Sequence, residues 1–295
     1  MNSSSRGPRS AYIQAAGFEM HVTEWGDPAL PALVMWHGLA RTGRDFDEAA
    51  EALSDSYFVI CPDTLGRGLS SWARDFTKDY SYATFGATAL GVLDHYRIER
   101  LRWVGTSMGG LIGVTLAAGA LKGRMTHLVI NDIGPDIPEA ASARIAAYVG
   151  DVPTYDTVAE LEAWLRKNYA PFGRNGDTFW RRMADTSMRR TDGGRVTVHY
   201  DPNIVSQFTH HKGDLDQWDA YDTITARTLL LRGAESDVLP AQVAAEMQRR
   251  GPKPRLVEFP GVGHAPTLAS AAEILKEQYT PGEDWLLAMG RYHRP

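Results

Sequence analysis

The chain has 295 residues, 43% of them hydrophobic and 23% charged, with a formal net charge of −5 and a pI near 6.0. This is the balance of a globular protein able to bury a large core, as one big domain or as a domain with an insertion. It excludes a polybasic nucleic-acid or anionic-membrane surface and a membrane span of roughly 18 apolar residues, and the single Cys61 excludes a disulfide framework or thiolate metal cluster.

Residues 1–10 are polar and lack the apolar segment of a signal peptide, so they read as a short tail and the expected location is the cytoplasm. Residues 18–25 read as an early strand paired with 11–14. Ala32-Leu33-Val34-Met35-Trp36 is a continuous apolar run stopped by His37-Gly38, the pattern of a strand buried on both faces. A short helix is expected at 46–53, then a second buried strand at 57–61 ending in Pro62-Asp63. Residues 84–96 have helical spacing. A third buried strand at 101–104 leads into Ser107, with an apolar helical run at 111–121. The fourth buried strand, 128–130, ends in Asn131-Asp132.

That rhythm stops after Gly134. Amphipathic helices are expected at 139–149 and 158–169, a weaker one at 178–188, then a turn at 191–194 and a short strand at 196–198. The rhythm resumes with a strand at 229–231, a helix at 241–250, a strand at 256–259 and a closing helical region at 274–289. Strands alternating with helices predict an α/β fold whose mostly parallel sheet is covered by helices on both faces. The core comprises 1–134 and 223–295. Residues 135–222 form an inserted helical cap, too long for a simple connection.

Chemistry concentrates at Gly105-Thr106-Ser107-Met108-Gly109, a Gly-x-Ser-x-Gly stretch between a strand and a helix. Such a turn exposes the serine hydroxyl above the sheet, and the following helix aims free N–H groups at the reacting centre. Side chains at 105 and 109 would clash where strand and helix approach. The motif alone is common. Its context is His37-Gly38-Leu39 upstream, with Ser236-Asp237-Val238 and Gly263-His264-Ala265 downstream, giving the order Ser, Asp, His.

With the Asp63-x-x-Gly66-x-Gly68-x-Ser70 loop added, the sequence resembles the α/β-hydrolase superfamily from about residue 12 to 289. The Ser-Met-Gly-Gly form and the insertion size look like its esterase, enol-lactonase and meta-cleavage-product hydrolase branch. The resemblance implies Ser107 as nucleophile, His264 as base and Asp237 as the acid that orients the imidazole, with Asp132 the alternative acid. It also implies an oxyanion hole from the backbone N–H groups of Leu39 and Met108. His37 then reads as structural, as do Asp63, Gly66, Gly68 and Ser70. Arg41 and Arg44 are candidates for a substrate-carboxylate clamp, against the alternative of ion pairs to Asp45 or Asp47.

No cofactor or metal is expected, because no ligand spacing or phosphate-binding glycine pattern is present. The expected function is a cofactor-independent serine hydrolase cleaving a small carboxylic ester or lactone, with that small molecule as its only implied partner. Alternatives on the same fold are a meta-cleavage carbon–carbon hydrolase, a cofactorless haloperoxidase or perhydrolase, and a non-turnover ligand receptor. Leu39-Ala40-Arg41 and Ala265-Pro266 argue against the carbon–carbon hydrolase, which tends to carry glycines after His-Gly and an aromatic after the catalytic histidine.

Overall fold

A computed structural model describes residues 7–269 of the chain. The closing helical region expected at 274–289 lies outside the described residues. The chain begins with an antiparallel hairpin, β1 (Arg9–Ala15) and β2 (Phe18–Trp25), so the expected polar tail is shorter than 1–10. There follow β3 (Ala32–Trp36), α1 (Asp47–Leu53), β4 (Phe58–Pro62), α2 (Phe76–Asp79) and α3 (Tyr82–His95). Then come β5 (Leu101–Thr106), α4 (Met108–Ala118) and β6 (Met125–Asn131).

Between the core strands lie α5 (Glu139–Gly150), β7 (Thr154–Tyr155), α6 (Val158–Asn168), α7 (Asp177–Ser187), β8 (Met188–Arg190), β9 (Val196–Val198), α8 (Gln207–His210) and α9 (Trp218–Asp222). The core resumes with β10 (Arg227–Gly233), α10 (Ala241–Met247) and β11 (Arg255–Phe259). The described core is an eight-stranded sheet ordered β1-β2-β4-β3-β5-β6-β10-β11. All its pairings are parallel except β1 with β2 and β2 with β4.

The apolar runs become central strands because both faces of the sheet are covered. Along β3, Leu33 and Met35 face one way, with Phe46, Ala50 and Leu53 of the α1 region. Val34 and Trp36 face the other, with Phe85, Ala89, Leu111 and Ile112 of α3 and α4. Two-residue periodicity thus sorts one uninterrupted apolar run into two cores. Cys61 lies in the first, and burial pushes its thiol well above its ordinary range, as befits an inert core residue.

The inserted segment is not purely helical. β7, β9 and β8 form a small antiparallel sheet, of which only β9 is visible in the sequence pattern. Two- and three-residue strands are too short to show periodicity. Backbone hydrogen bonds join this segment to the loop after β4, from Gly68 N–H to His199 C=O and from Asp201 N–H to Gly66 C=O, each 2.8 Å. Arg182 of α7 also reaches Glu48 of α1 through two hydrogen bonds of 2.8 and 2.9 Å.

The C-terminal ends of β3, β5, β6 and β10 converge, as expected where strand order reverses around β3. The convergence is tight. A Cβ at Gly105 would stand 2.1 Å from the Gly109 carbonyl oxygen, and one at Gly109 would stand 2.1 Å from that of Trp36. Gly105→Ala should therefore cost about 2 kcal/mol or more by overpacking. That corresponds to a fall of roughly 4–8 °C in Tm by calorimetry. Gly193→Ala, whose added carbon would meet only the Thr191 hydroxyl at 3.9 Å, should leave Tm nearly unchanged.

Candidate active site

Ser107 is the single residue between β5 and α4. Its backbone adopts φ 51° and ψ −118°, a left-handed conformation that a non-glycine residue rarely holds. The turn is fixed by its own hydrogen bonds: Ser107 N–H donates to Asn131 C=O at 2.8 Å, and Gly110 N–H donates to Ser107 C=O at 2.8 Å.

His264 lies in the loop after β11. Its Nε2 is 2.9 Å from Ser107 Oγ and its Nδ1 is 2.8 Å from Asp132 Oδ2. An ionised carboxylate only accepts, so Nδ1 carries the proton and Nε2 is free to accept from the serine hydroxyl. This is the tautomer that lets imidazole take a proton from Ser107. The loop is anchored at both ends of the imidazole: Gly263 N–H donates to Pro171 C=O at 2.7 Å, and Asn131 Nδ2 donates to Pro266 C=O at 2.9 Å.

The acid facing His264 is Asp132, not Asp237. Asp132 follows β6 with φ 59° and is fully buried. Its Oδ1 accepts from Gly233 N–H at 2.7 Å, and its Oδ2 accepts from the Ser236 hydroxyl at 2.7 Å as well as from His264. The loop after β10 therefore supplies donors to the acid instead of the acid itself. Asp237 points away from that cluster and forms a bidentate pair with Arg144 of α5, both contacts 2.9 Å.

Gly38 brings the turn after β3 against the serine, since a Cβ there would lie 3.6 Å from that of Ser107. Leu39 follows it, and Met108 opens α4 beside it, so the two residues expected to supply oxyanion N–H groups flank Ser107. His37 props up this turn. Thr64 N–H donates to its Nε2 at 2.8 Å, so Nδ1–H donates to Gly38 C=O at 2.6 Å. Burial pulls the His37 imidazole down to about 4, which keeps it neutral at ordinary pH.

Asp63 accepts from Gly43 N–H at 2.7 Å and Leu69 N–H at 3.0 Å, and lies 2.8 Å from His21 Nδ1. Burial alone would raise this carboxyl, but its hydrogen bond to His21 and the neighbouring imidazoles outweigh that and hold it below the usual range.

Ser107 and His264 open into a cavity of about 360 Å³, within the size range of small-molecule sites. Ile145, Tyr148, Tyr169, Phe172 and Phe179 of the inserted segment line its far side. Of Trp72, Trp164, Phe172, Phe179, Trp180 and Trp218, only Phe172 and Phe179 line it; Trp180 is buried in the core cluster that also holds Leu161, Leu165 and Met183.

Arg41 lines the cavity, but its Nε and Nη2 are bound to Asp45 at 2.8 and 2.6 Å, and its guanidinium lies 5.1 Å from the Tyr169 ring centre. Burial works against its charge, and the Asp45 carboxylate more than offsets it, holding Arg41 above its ordinary value. Arg44 does not line the cavity; it is paired with Asp47 at 2.6 Å. The cation that sequence reading missed is Arg144. It lines the cavity and is half exposed, but an arginine on a surface helix carries no local signal of a partner 93 residues away. Among the described residues, no group of three or more His, Cys, Asp or Glu is placed to hold a metal ion. Nor is any described helix long and apolar enough to cross a membrane.

The family model described as "Alpha/beta hydrolase family" matches residues 33–277. The chain belongs to this family. As an α/β hydrolase it is 39% identical over 284 residues to the 3-hydroxybutyrate-oligomer hydrolase of Cupriavidus necator, covering 92% of this chain and 96% of that protein. It is 28% identical to an esterase of Mycobacterium tuberculosis over 82% of this chain and 78% of that one. Among solved structures, an alpha/beta hydrolase from Novosphingobium aromaticivorans matches with a TM-score of 0.80 and 32% identity, covering 96% of this chain and 97% of that one.

Two outcomes follow from the geometry. In this hydrolase Asp132→Asn should lower kcat by up to about 10⁴-fold, because the amide favours the wrong imidazole tautomer. Asp237→Asn should leave kcat within a few-fold; steady-state kinetics on folded variants separate the two. The buried neutral His37 should also make stability pH-dependent. Its folded value lies below its unfolded value of 6.5, so its contribution is complete above pH 6.5 and is lost as pH falls toward about 4. That difference corresponds to about 3 kcal/mol. Urea unfolding from pH 7 to pH 4 should show the loss in wild type and a flatter dependence in His37→Gln.

Proposed function

We propose that this α/β hydrolase is a cofactor-independent serine hydrolase of short carboxylic esters, with linear hydroxyalkanoate oligomers as the best-supported substrate class. The observation that carries the reading is the hydrogen-bonded series Ser107–His264–Asp132 at the floor of a cavity of small-molecule size. The substrate class is suggested by the 39% identical relative, named for 3-hydroxybutyrate oligomers.

In the proposed reaction, Ser107 Oγ attacks the ester carbonyl while His264 Nε2 takes its proton. Asp132 holds the imidazole and stabilises its cation. The Leu39 and Met108 N–H groups receive the charge that develops on the carbonyl oxygen. His264 then protonates the departing alcohol, leaving an acyl group on Ser107. Water then attacks the acyl carbonyl while His264 Nε2 takes its proton, and as the bond to Ser107 Oγ breaks His264 returns that proton to the serine oxygen and the acid leaves. The inserted segment acts as a cap that limits water and substrate length.

A hydroxyalkanoate oligomer carries a free carboxylate at one end. Arg41 is committed to Asp45, so the proposed contact is Arg144. Of its five N–H donors, two serve Asp237 and three remain for a second carboxylate. Asp237 and the exposed Glu235 on the same cavity oppose a further negative charge, so the contact is a modest one.

Purified protein should hydrolyse p-nitrophenyl butyrate and the linear 3-hydroxybutyrate dimer and trimer, and Ser107→Ala should abolish both activities. Near-wild-type turnover by Ser107→Ala would sink the serine mechanism. Hydrolysis of the nitrophenyl ester alone would sink the substrate class only. Arg144→Gln should raise KM several-fold for the dimer but leave its methyl ester unchanged; equal effects on both would remove Arg144 from substrate binding.

A further inference from the structure

One fully buried cation has no part in the proposed reaction, yet touches both residues of the oxyanion turn. Arg67 lies in the loop after β4 and is 0% exposed. Its Nε donates to Leu39 C=O at 2.8 Å, its Nη1 to Leu65 C=O at 2.7 Å, and its Nη2 lies 3.6 Å from Met108 Sδ. Its guanidinium lies 5.4 Å from the Tyr80 ring centre and 5.2 Å from that of Phe85.

No carboxylate forms an ion pair with it among the described residues; Asp201 favours its charge through space and accepts from the Tyr80 hydroxyl at 2.6 Å. Burial pulls the guanidinium down to about 10, still far above neutral pH, so it remains charged. An unpaired buried charge is costly and is retained only where hydrogen bonds and ring faces replace its water. Here two of those contacts, to the Leu39 carbonyl and the Met108 sulfur, fall on the two residues proposed to supply the oxyanion N–H groups.

We propose that Arg67 is a positioning residue for the oxyanion hole. Its fork holds the Leu39 peptide and the Met108 side chain from behind, fixing both N–H groups, and adds a buried positive charge behind the site where negative charge develops. The inference rests on the proposed serine chemistry. It also accounts for the backbone ties at Gly66 and Gly68, which seal the loop carrying Arg67 beneath the inserted segment.

The test uses Arg67→Met and Arg67→Lys with p-nitrophenyl butyrate, together with a trifluoromethyl ketone that adds to serine as a tetrahedral oxyanion. Losing one oxyanion donor outright costs about 10²–10³-fold, so an indirect support should cost about 10–100-fold in kcat. For Arg67→Met, KM should stay nearly constant and ketone affinity should fall by the same factor as kcat/KM. Arg67→Lys, which keeps the charge, should recover part of both. A KM rise with kcat unchanged, or unaltered ketone affinity, would overturn the proposal. If neither Arg67 variant folds, Met108→Leu removes the sulfur contact and should still weaken the ketone more than the substrate; equal affinity for the ketone would count against it. Wild-type protein that neither turns over the ester nor binds the ketone would instead end the serine-hydrolase reading.

Discussion

A Cβ on residue 109 would stand 2.1 Å from the Trp36 carbonyl oxygen, and the rest of the site depends on its absence. Because α4 starts in contact with the end of β3, the turn through Gly38 and Leu39 lies beside Met108. Because β5 enters that helix without room for a side chain at 105, Ser107 must reverse the chain alone, in a left-handed backbone conformation. The strain is local. It is held by hydrogen bonds to Asn131 and Gly110 and by a sheet buried on both faces.

Charge around this turn is arranged by burial as much as by pairing. Asp132 is a buried carboxylate satisfied by an N–H, an O–H and an imidazole, so it remains an acceptor for His264. His37 is kept neutral by burial and serves as a rigid hydrogen-bonding strut. Arg67 stays charged with backbone oxygens and aromatic rings for company. The ring and the cation are coupled: the charge of Arg67 adds to burial in opposing protonation of His37.

The core was legible because its strands are uninterrupted apolar runs and its turns carry glycines that packing demands. Ser107 and His264 were legible for the same reason: each sits in a local pattern at a strand end. The acid was not. Asp132 and Asp237 both follow buried strands, and the sequence offers no local difference between them. What separates them is long-range: Gly233 and Ser236 turn their donors toward Asp132, while Arg144 draws Asp237 outward. The short strands β7 and β8 were invisible for want of length. Arg67 carries no local signal: it sits between two glycines whose turn chemistry accounts for the loop, and its partners lie up to 41 residues away.

The Arg144–Asp237 pair joins the inserted segment to the core, yet it cannot be what holds that segment in place. Both side chains are about half exposed, 48% and 52%, and an ion pair so screened contributes about 0–1 kcal/mol. The stronger ties are elsewhere: Gly263 to Pro171, Gly68 to His199, Asp201 to Gly66, and the less exposed Arg182–Glu48 pair. Of their residues only Pro171 and Gly263 line the cavity. Exchanging Asp237 for a substrate carboxylate on Arg144 would therefore cost little closure. The proposed substrate contact and the attachment of the inserted segment are compatible because they draw on different interactions.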